Sequence, residues 1–273
     1  MRAGTWWRGR SRRRQLFFAV VGVLVLALAG VLAVRLTGGD PGPTVLPDQA
    51  DQGPVLLVPG YGGNADSLGP LAAKLRSAGR TAQIVPLPGD GTGDLLVQVN
   101  TLDDAVNRAL AAGAPSVDVV GYSAGGVVTR LWVARDAGQF RARRVVTLGS
   151  PLHGTGIAAA GSALLPGACP LACQQLVPDS PLLRGVDAQR LPAGLPWLSL
   201  WTADDQTVVP PDSAELPGAV NVPLQEICPA ARVSHSQLPG APLVGGIVLA
   251  ALDGPSLAVP TPDQCSALTV TGR

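Results

Sequence analysis

Charge is scarce in this chain and unevenly placed. Only 14% of the 273 residues are charged, and no acidic residue precedes Asp40. The first 36 positions hold seven of the 20 basic residues (Arg2, Arg8, Arg10, Arg12, Arg13, Arg14, Arg35), which leaves 13 basic against 19 acidic residues beyond them, a net −6. A mildly acidic remainder with scattered Arg has no basic stripe, and this excludes a nucleic-acid interface. Gly (34) and Pro (26) are plentiful, but no Gly-X-Y period and no Ser/Gln-rich tract accompanies them, so they mark loops rather than collagen or disorder. No internal repeat is present. Histidine is limited to His153 and His235, and neither lies at metal-ligand spacing from Cys169 or Cys173, which argues against zinc. What remains is 47% hydrophobic residues, enough to build the core of one full-sized domain plus accessories.

Part of that apolar content is concentrated at the N-terminus. After the cluster Arg8–Arg14 comes an uncharged run from Leu16 to Val34. At about 1.5 Å per residue such a run nearly crosses a hydrocarbon layer of roughly 30 Å. Arg on its N-terminal side predicts that this side stays in the cytoplasm and that the rest is exported. The run is long for a cleavable signal, which favours an uncleaved anchor, although Ala27-Leu28-Ala29 would serve as a cleavage site and Arg13-Arg14-Gln15-Leu16-Phe17 is a loose twin-arginine match. All four cysteines (Cys169, Cys173, Cys228, Cys265) follow the run, as two disulfides in an oxidising compartment would require. Proximity pairs Cys169 with Cys173 and Cys228 with Cys265. Residues 38–53, with Gly38-Gly39-Asp40-Pro41-Gly42-Pro43, read as a linker.

From Pro54 onward short Val/Ile/Leu runs alternate with longer helical patterns. The strand candidates are Val55–Val58, Gln83–Leu87, Val117–Val120, Val145–Leu148, Leu198–Trp201 and Asn221–Pro223. Several are continuously apolar, as strands covered on both faces should be. Helical spacing of apolar residues predicts Ser67–Ala78, Leu102–Ala112, Ala124–Ala137 and Val244–Leu252 as helices. The alternation implies βαβ units and a mostly parallel central sheet flanked by helices. The stretch Ile157–Pro196 breaks the rhythm and reads as an insertion over the end of the sheet where ligands bind.

Val117-Asp118-Val119-Val120-Gly121-Tyr122-Ser123-Ala124-Gly125-Gly126 joins a strand to a helix through Gly-x-Ser-x-Gly. Such a turn strains the serine backbone, exposes the hydroxyl and aims a helix N-terminus at the charge that develops on attack. Ser123 is therefore the candidate nucleophile. A hydroxyl needs a base, and nucleophile elbows run Ser, acid, His along the chain. His235, after the last strand, fits that order, whereas His153 reads as a loop histidine bracing the rim of the site. The acid belongs after Leu198–Trp201, where Asp204 and Asp205 compete. One oxyanion donor is the N–H of Ala124, the residue after the nucleophile. The second belongs to the Gly-rich turn Pro59-Gly60-Tyr61-Gly62-Gly63-Asn64. That turn lacks the full Gly-x-Gly-x-x-Gly spacing of a dinucleotide cradle.

Taken in order, Pro59-Gly60-Tyr61-Gly62-Gly63, the Ser123 elbow, Ser150-Pro151-Leu152-His153-Gly154-Thr155, Asp204-Asp205-Gln206-Thr207-Val208-Val209-Pro210, Gly218-Ala219-Val220-Asn221-Val222 and Ser234-His235-Ser236 resemble bacterial class 2 lipases and esterases of the α/β-hydrolase superfamily over residues 54–252. Relatives place the acid three residues before the Val of an Asp-x-x-Val pattern, which selects Asp205. They also place the second donor after the Gly, which selects the N–H of Tyr61. Pro59 departs from the family, many of whose members have His there. The resemblance implies an α/β-hydrolase fold over 54–253, preceded by the anchor or signal segment (1–37) and linker (38–53), with a C-terminal tail at 254–273. It implies hydrolysis of acyl or lipid esters with no metal or organic cofactor. The membrane is engaged through the N-terminal segment, and the catalytic part lies outside the cytoplasm. The same residues would serve an acyltransferase acting on a surface hydroxyl, and a non-catalytic binding protein could keep the fold. The stretch around Cys228 is expected to act as a disulfide-tied lid or wall.

Overall fold

The computed structural model describes residues 16–26, 44–254 and 256–271. The chain divides into two units, Met1–Thr44 and Val45–Arg273. In the first, residues 16–26 are helical with an exposed apolar surface. The Arg8–Arg14 cluster, Ala27-Leu28-Ala29 and the rest of the apolar run to Val34 lie outside the described residues. Among the described residues no helix is long and apolar enough to cross a membrane.

The second unit is built on one sheet of β1 (Val55–Val58), β2 (Ala82–Ile84), β3 (Val117–Tyr122), β4 (Ala142–Leu148), β5 (Trp197–Trp201) and β6 (Val220–Pro223), in the order β2-β1-β3-β4-β5-β6. Every pairing is parallel. Its helices are α1 (Gly69–Ser77), α2 (Leu95–Ala111), α3 (Ala124–Arg135), α4 (Gly156–Leu164), α5 (Leu171–Gln175), α6 (Pro181–Asp187), α7 (Leu224–Ile227), α8 (Pro242–Leu252) and α9 (Cys265–Thr271). The period of two along each strand separates two cores. Leu56, Val58, Val119, Val145 and Trp197 meet Leu102 and Val106 of α2 and Val127 and Trp132 of α3. Val55, Leu57, Val120, Val146 and Leu198 meet Leu71 and Leu75 of α1 and Val244, Ile247 and Val248 of α8. Each fully buried side chain of this kind stabilises by about 1.5–3 kcal/mol, and covering both faces is why these strands read as unbroken apolar runs.

Most elements shift by one to three residues at an end, and three of the departures have clear physical reasons. Strand β2 ends at Ile84 rather than Leu87, because Pro86 and Pro88 lack the N–H a ladder requires. Helix α2 begins seven residues before Leu102. Asp94 caps it by accepting from Leu96 N at 2.9 Å, but the apolar run Leu95–Val99 has no break that marks a helix start. The Ile157–Pro196 insertion carries helices, α4 (from Gly156), α5 and α6, whose Gly, Ala and Pro content obscures the helical period.

The end of the sheet away from the elbow is held by buried charge. Asp118 and Arg143 are fully buried. Asp118 accepts from Arg143 Nε at 3.0 Å and Nη2 at 2.6 Å, and from Arg80 Nη2 at 2.5 Å. The remaining guanidinium donors reach the carboxyl end of α8: Arg143 to Leu252 O, and Arg144 to Ala251 O, Asp253 O and Gly254 O. Cations at a helix C-terminus satisfy its unpaired carbonyls and oppose its dipole. Burial, with Arg143 alongside, lowers the pKa of Arg144. Residues read as linker join this clamp, since Gln49 O accepts from Arg143 Nη1 at 2.9 Å. The stretch read as a tail carries α9, which packs on α8 where Gly246 leaves no room for a side chain: a Cβ there would lie 3.0 Å from Leu268 C. The disulfide Cys228–Cys265 fastens α9 to the end of α7, and Cys169–Cys173 closes a second ring, as proximity along the chain suggests.

Candidate active site

Ser123 occupies the turn between β3 and α3 at φ 52°, ψ −125°, a conformation that L-residues hold only where surrounding structure enforces it. The enforcement comes from three glycines, each where another backbone or side chain presses in. A Cβ on Gly121 would lie 2.6 Å from Gly126 Cα, one on Gly125 2.5 Å from Pro59 O, and one on Gly126 2.6 Å from Ser150 Cβ. The Ser123 N–H donates to Leu148 O at 2.9 Å, so the turn stays stitched to β4. Ser123 is buried to 9% exposure and opens into a cavity.

His235 begins a short 3-10 turn after β6 and α7, with the Gln237 side chain accepting from Ser234 N at 2.9 Å to fix its start. Its Nε2 lies 3.0 Å from Ser123 Oγ and its Nδ1 2.7 Å from Asp205 Oδ2. With Nδ1–H donated to the carboxylate, Nε2 is left as the acceptor for the serine hydroxyl. The other oxygen, Oδ1, accepts from Thr207 N and Val208 N, both at 2.8 Å, so the carboxylate is aimed by its own loop. Asp204, its neighbour, is exposed. Gly149 lies directly beneath this pair at φ 52°, and a Cβ there would come within 3.2 Å of both Asp205 Oδ2 and His235 Nδ1.

Of the two expected donors, Ala124 is the first residue of α3, where helix N–H groups have no intrahelical partner. Tyr61 follows Gly60, whose Cβ position is 3.0 Å from Ser123 Cβ, so the 60–63 turn abuts the serine. The Tyr61 phenol is pushed upward in pKa by its partial burial and then by Asp90. His153 sits apart from Ser123: its Nδ1 is 3.0 Å from Asp187 Oδ1 and its Nε2 3.0 Å from Glu215 O, bracing the loop after β4. Tyr122 carries a role that sequence reasoning missed. Its hydroxyl donates to His235 O at 3.1 Å and its ring lies 5.2 Å from the imidazole. Burial, and then the charge of Asp205, raise this phenol to about 12, so it remains a neutral donor. The second position of a Gly-x-Ser-x-Gly motif carries no signal of such a contact.

The cavity above Ser123 measures about 260 Å³ and is lined by Ile157, Ala158 and Gly161 of α4, Cys173 and Leu176 below it, and Val208. No charged residue lines it. Among the described residues no cluster of His, Cys, Asp or Glu is arranged to hold a metal ion.

No family model and no curated protein matches this chain. Solved structures do. Lipase B of Aspergillus fumigatus superposes with a TM-score of 0.65 at 20% identity over 85% of this chain, which spans 59% of that longer protein. The mature lipase BlEst2 of Bacillus licheniformis gives 0.62 at 18% identity over 79% of this chain and 97% of its own. A Listeria innocua protein, the product of lin2722, gives 0.56 at 16% identity over 77% and 99%. At these identities the likeness defines a fold, and the second unit has the α/β-hydrolase fold.

Proposed function

We propose that the chain is an exported serine hydrolase that cleaves carboxylic acyl esters through an acyl-enzyme, with Ser123 as nucleophile, His235 as base and Asp205 as the supporting acid. The observation that carries this reading is the continuous relay from Ser123 Oγ through His235 to Asp205, at 3.0 and 2.7 Å, opening into an uncharged cavity. The naming of the Aspergillus and Bacillus neighbours as lipases supports the same substrate class. As Ser123 attacks the ester carbonyl, His235 Nε2 takes its proton and Asp205 stabilises the imidazolium. The N–H groups of Tyr61 and Ala124 receive the oxyanion, a contribution of roughly 10²–10³ in rate per donor in such sites. The imidazolium then protonates the leaving alcohol, and the neutral base activates the water that releases the acid.

The test is hydrolysis of p-nitrophenyl esters, butyrate through palmitate, by the purified protein beside Ser123→Ala and His235→Ala. Loss of turnover on the order of 10⁴-fold or more in each variant is expected; Ser123→Ala retaining activity would sink the scheme. Export is supported by the two disulfides, which belong to an oxidising compartment. Anchoring through residues 16–34 is the accompanying proposal. Fractionation that leaves the protein soluble and full-length would refute the anchor.

A further inference from the structure

An ester hydrolase of this kind must fix how long an acyl group it takes. Resting on that reading, the geometry points to Gly161 and the Cys169–Cys173 disulfide as the wall that limits the acyl chain. The wall borders the cavity of about 260 Å³ that contains Ser123, so its position sets how much of that space an acyl chain can fill. Gly161 and Cys173 both line the cavity that contains Ser123. A Cβ on Gly161 would meet Cys173 Sγ at 3.6 Å, ordinary contact. With the sulfur already in contact and both residues lining the cavity, a larger side chain at this position takes its room from the space for substrate.

Both walls are held against retreat. Cys173 is bonded to Cys169 four residues earlier, within a segment tied to the 89–94 loop by Ala172 N to Thr92 O at 3.1 Å and by Gln175 Nε2 to Asp94 Oδ1 at 2.7 Å. Helix α4 is pinned at its start, where Thr155 Oγ1 donates to Thr207 O at 2.8 Å and accepts from Val209 N at 3.0 Å. The start of α4 is thereby tied to the loop that carries Asp205, so on this side the wall does not give way to a long chain.

The experiment measures kcat/KM on p-nitrophenyl esters from acetate to palmitate with the full chain, disulfides intact. The unsubstituted protein is expected to prefer short and medium esters to palmitate. Gly161→Ala should lower the octanoate-to-acetate ratio of kcat/KM about fourfold, one methylene displaced at about 0.8 kcal/mol, and Gly161→Val should lower it tenfold or more. Because Ala favours a helix interior over Gly, Gly161→Ala should not lower Tm, which separates a lost subsite from a lost fold. Cys169→Ser with Cys173→Ser should relax the limit and raise the palmitate-to-butyrate ratio. A native profile that still rises to palmitate, Gly161 variants that lower every ester by one factor, or a ratio unmoved by loss of the disulfide would each overturn the wall. Absence of hydrolysis on every ester overturns the enzyme reading itself, and the wall with it, whereas an active enzyme with parallel profiles overturns the wall alone.

Discussion

Gly91→Ala should damage turnover from a position outside the catalytic relay. Gly91 has φ 68°, and its Cβ would lie 2.6 Å from Gly63 Cα and 3.0 Å from Gly62 C. Cβ atoms do not approach backbone so closely, so one of the two loops must move. The 60–63 turn receives the pressure on the residue that closes it, since Gly63 N donates to Gly60 O at 3.0 Å. Between those two residues lies the N–H of Tyr61, the proposed oxyanion donor, and Gly60 in turn rests on Ser123. Losing such a donor outright costs about 2.7–4 kcal/mol in the transition state, or 10²–10³ in kcat. A displaced donor should lose part of that, about ten- to a hundredfold, with KM little changed because the ground-state ester leans on it weakly. The backbone penalty of a left-handed alanine, about 1–2 kcal/mol, must be subtracted, and Gly89 supplies the control. It has φ 61° and nothing within 4 Å of its Cβ position, so Gly89→Ala carries the strain without the collision. Steady-state kinetics on p-nitrophenyl butyrate and thermal melts of both variants decide the matter. A larger loss of Tm and a fall in kcat confined to Gly91→Ala support the reasoning; equal falls in kcat, or none, refute it.

Asp205→Asn should reduce kcat by 10³–10⁴ or thereabouts by leaving His235 without its orienting acceptor, while Asp204→Asn, exposed beside it, should leave ester kinetics unchanged. Asp118→Asn leaves Arg80 and Arg143 buried without their carboxylate and should lower stability by about 3–5 kcal/mol, read from urea unfolding, with ester kinetics of the folded fraction intact. Tyr122 titrates higher in the folded protein, at about 12 against 10.0. The folded state therefore keeps a proton that the unfolded chain loses, and this contribution is present below pH 10 and lost as pH rises toward 12. Stability measured across that window should fall less steeply for Tyr122→Phe, and identical slopes would refute the assignment.

Much of the fold was legible because its signals are local. Strands buried on both faces write themselves as runs such as Val55–Val58, and parallel neighbours require helices between them. The errors fall where tertiary contacts decide. The start of the helix at Leu95 is held from 80 residues away, where Gln175 accepts from Leu95 N at 2.8 Å and donates to the capping Asp94 at 2.7 Å. The strands also conceal their charges: nothing near Asp118 reveals that partners 38 and 25 residues away, Arg80 and Arg143, close on it.

The candidate site divides along the same line. Ser123 and His235 could be named because an elbow and a post-strand loop are local shapes with few occupants, and only two histidines compete. The choice between Asp204 and Asp205 rests on the Asp-x-x-Val spacing of the family that the chain resembles, and the loop geometry shows why such a spacing works. Asp205 Oδ1 accepts Thr207 N and Val208 N within its own loop, and its second oxygen faces His235. Gly149 shows the limit most clearly. In sequence it is one of 34 glycines, just past a strand. In the fold it is the floor under the Asp205–His235 hydrogen bond, where a methyl group would press on both partners at 3.2 Å and collide with Leu238 Cδ1 at 2.5 Å. A residue whose contribution is the absence of a side chain leaves no chemical signature of its own, and its role becomes visible only when the groups that need the space are in place.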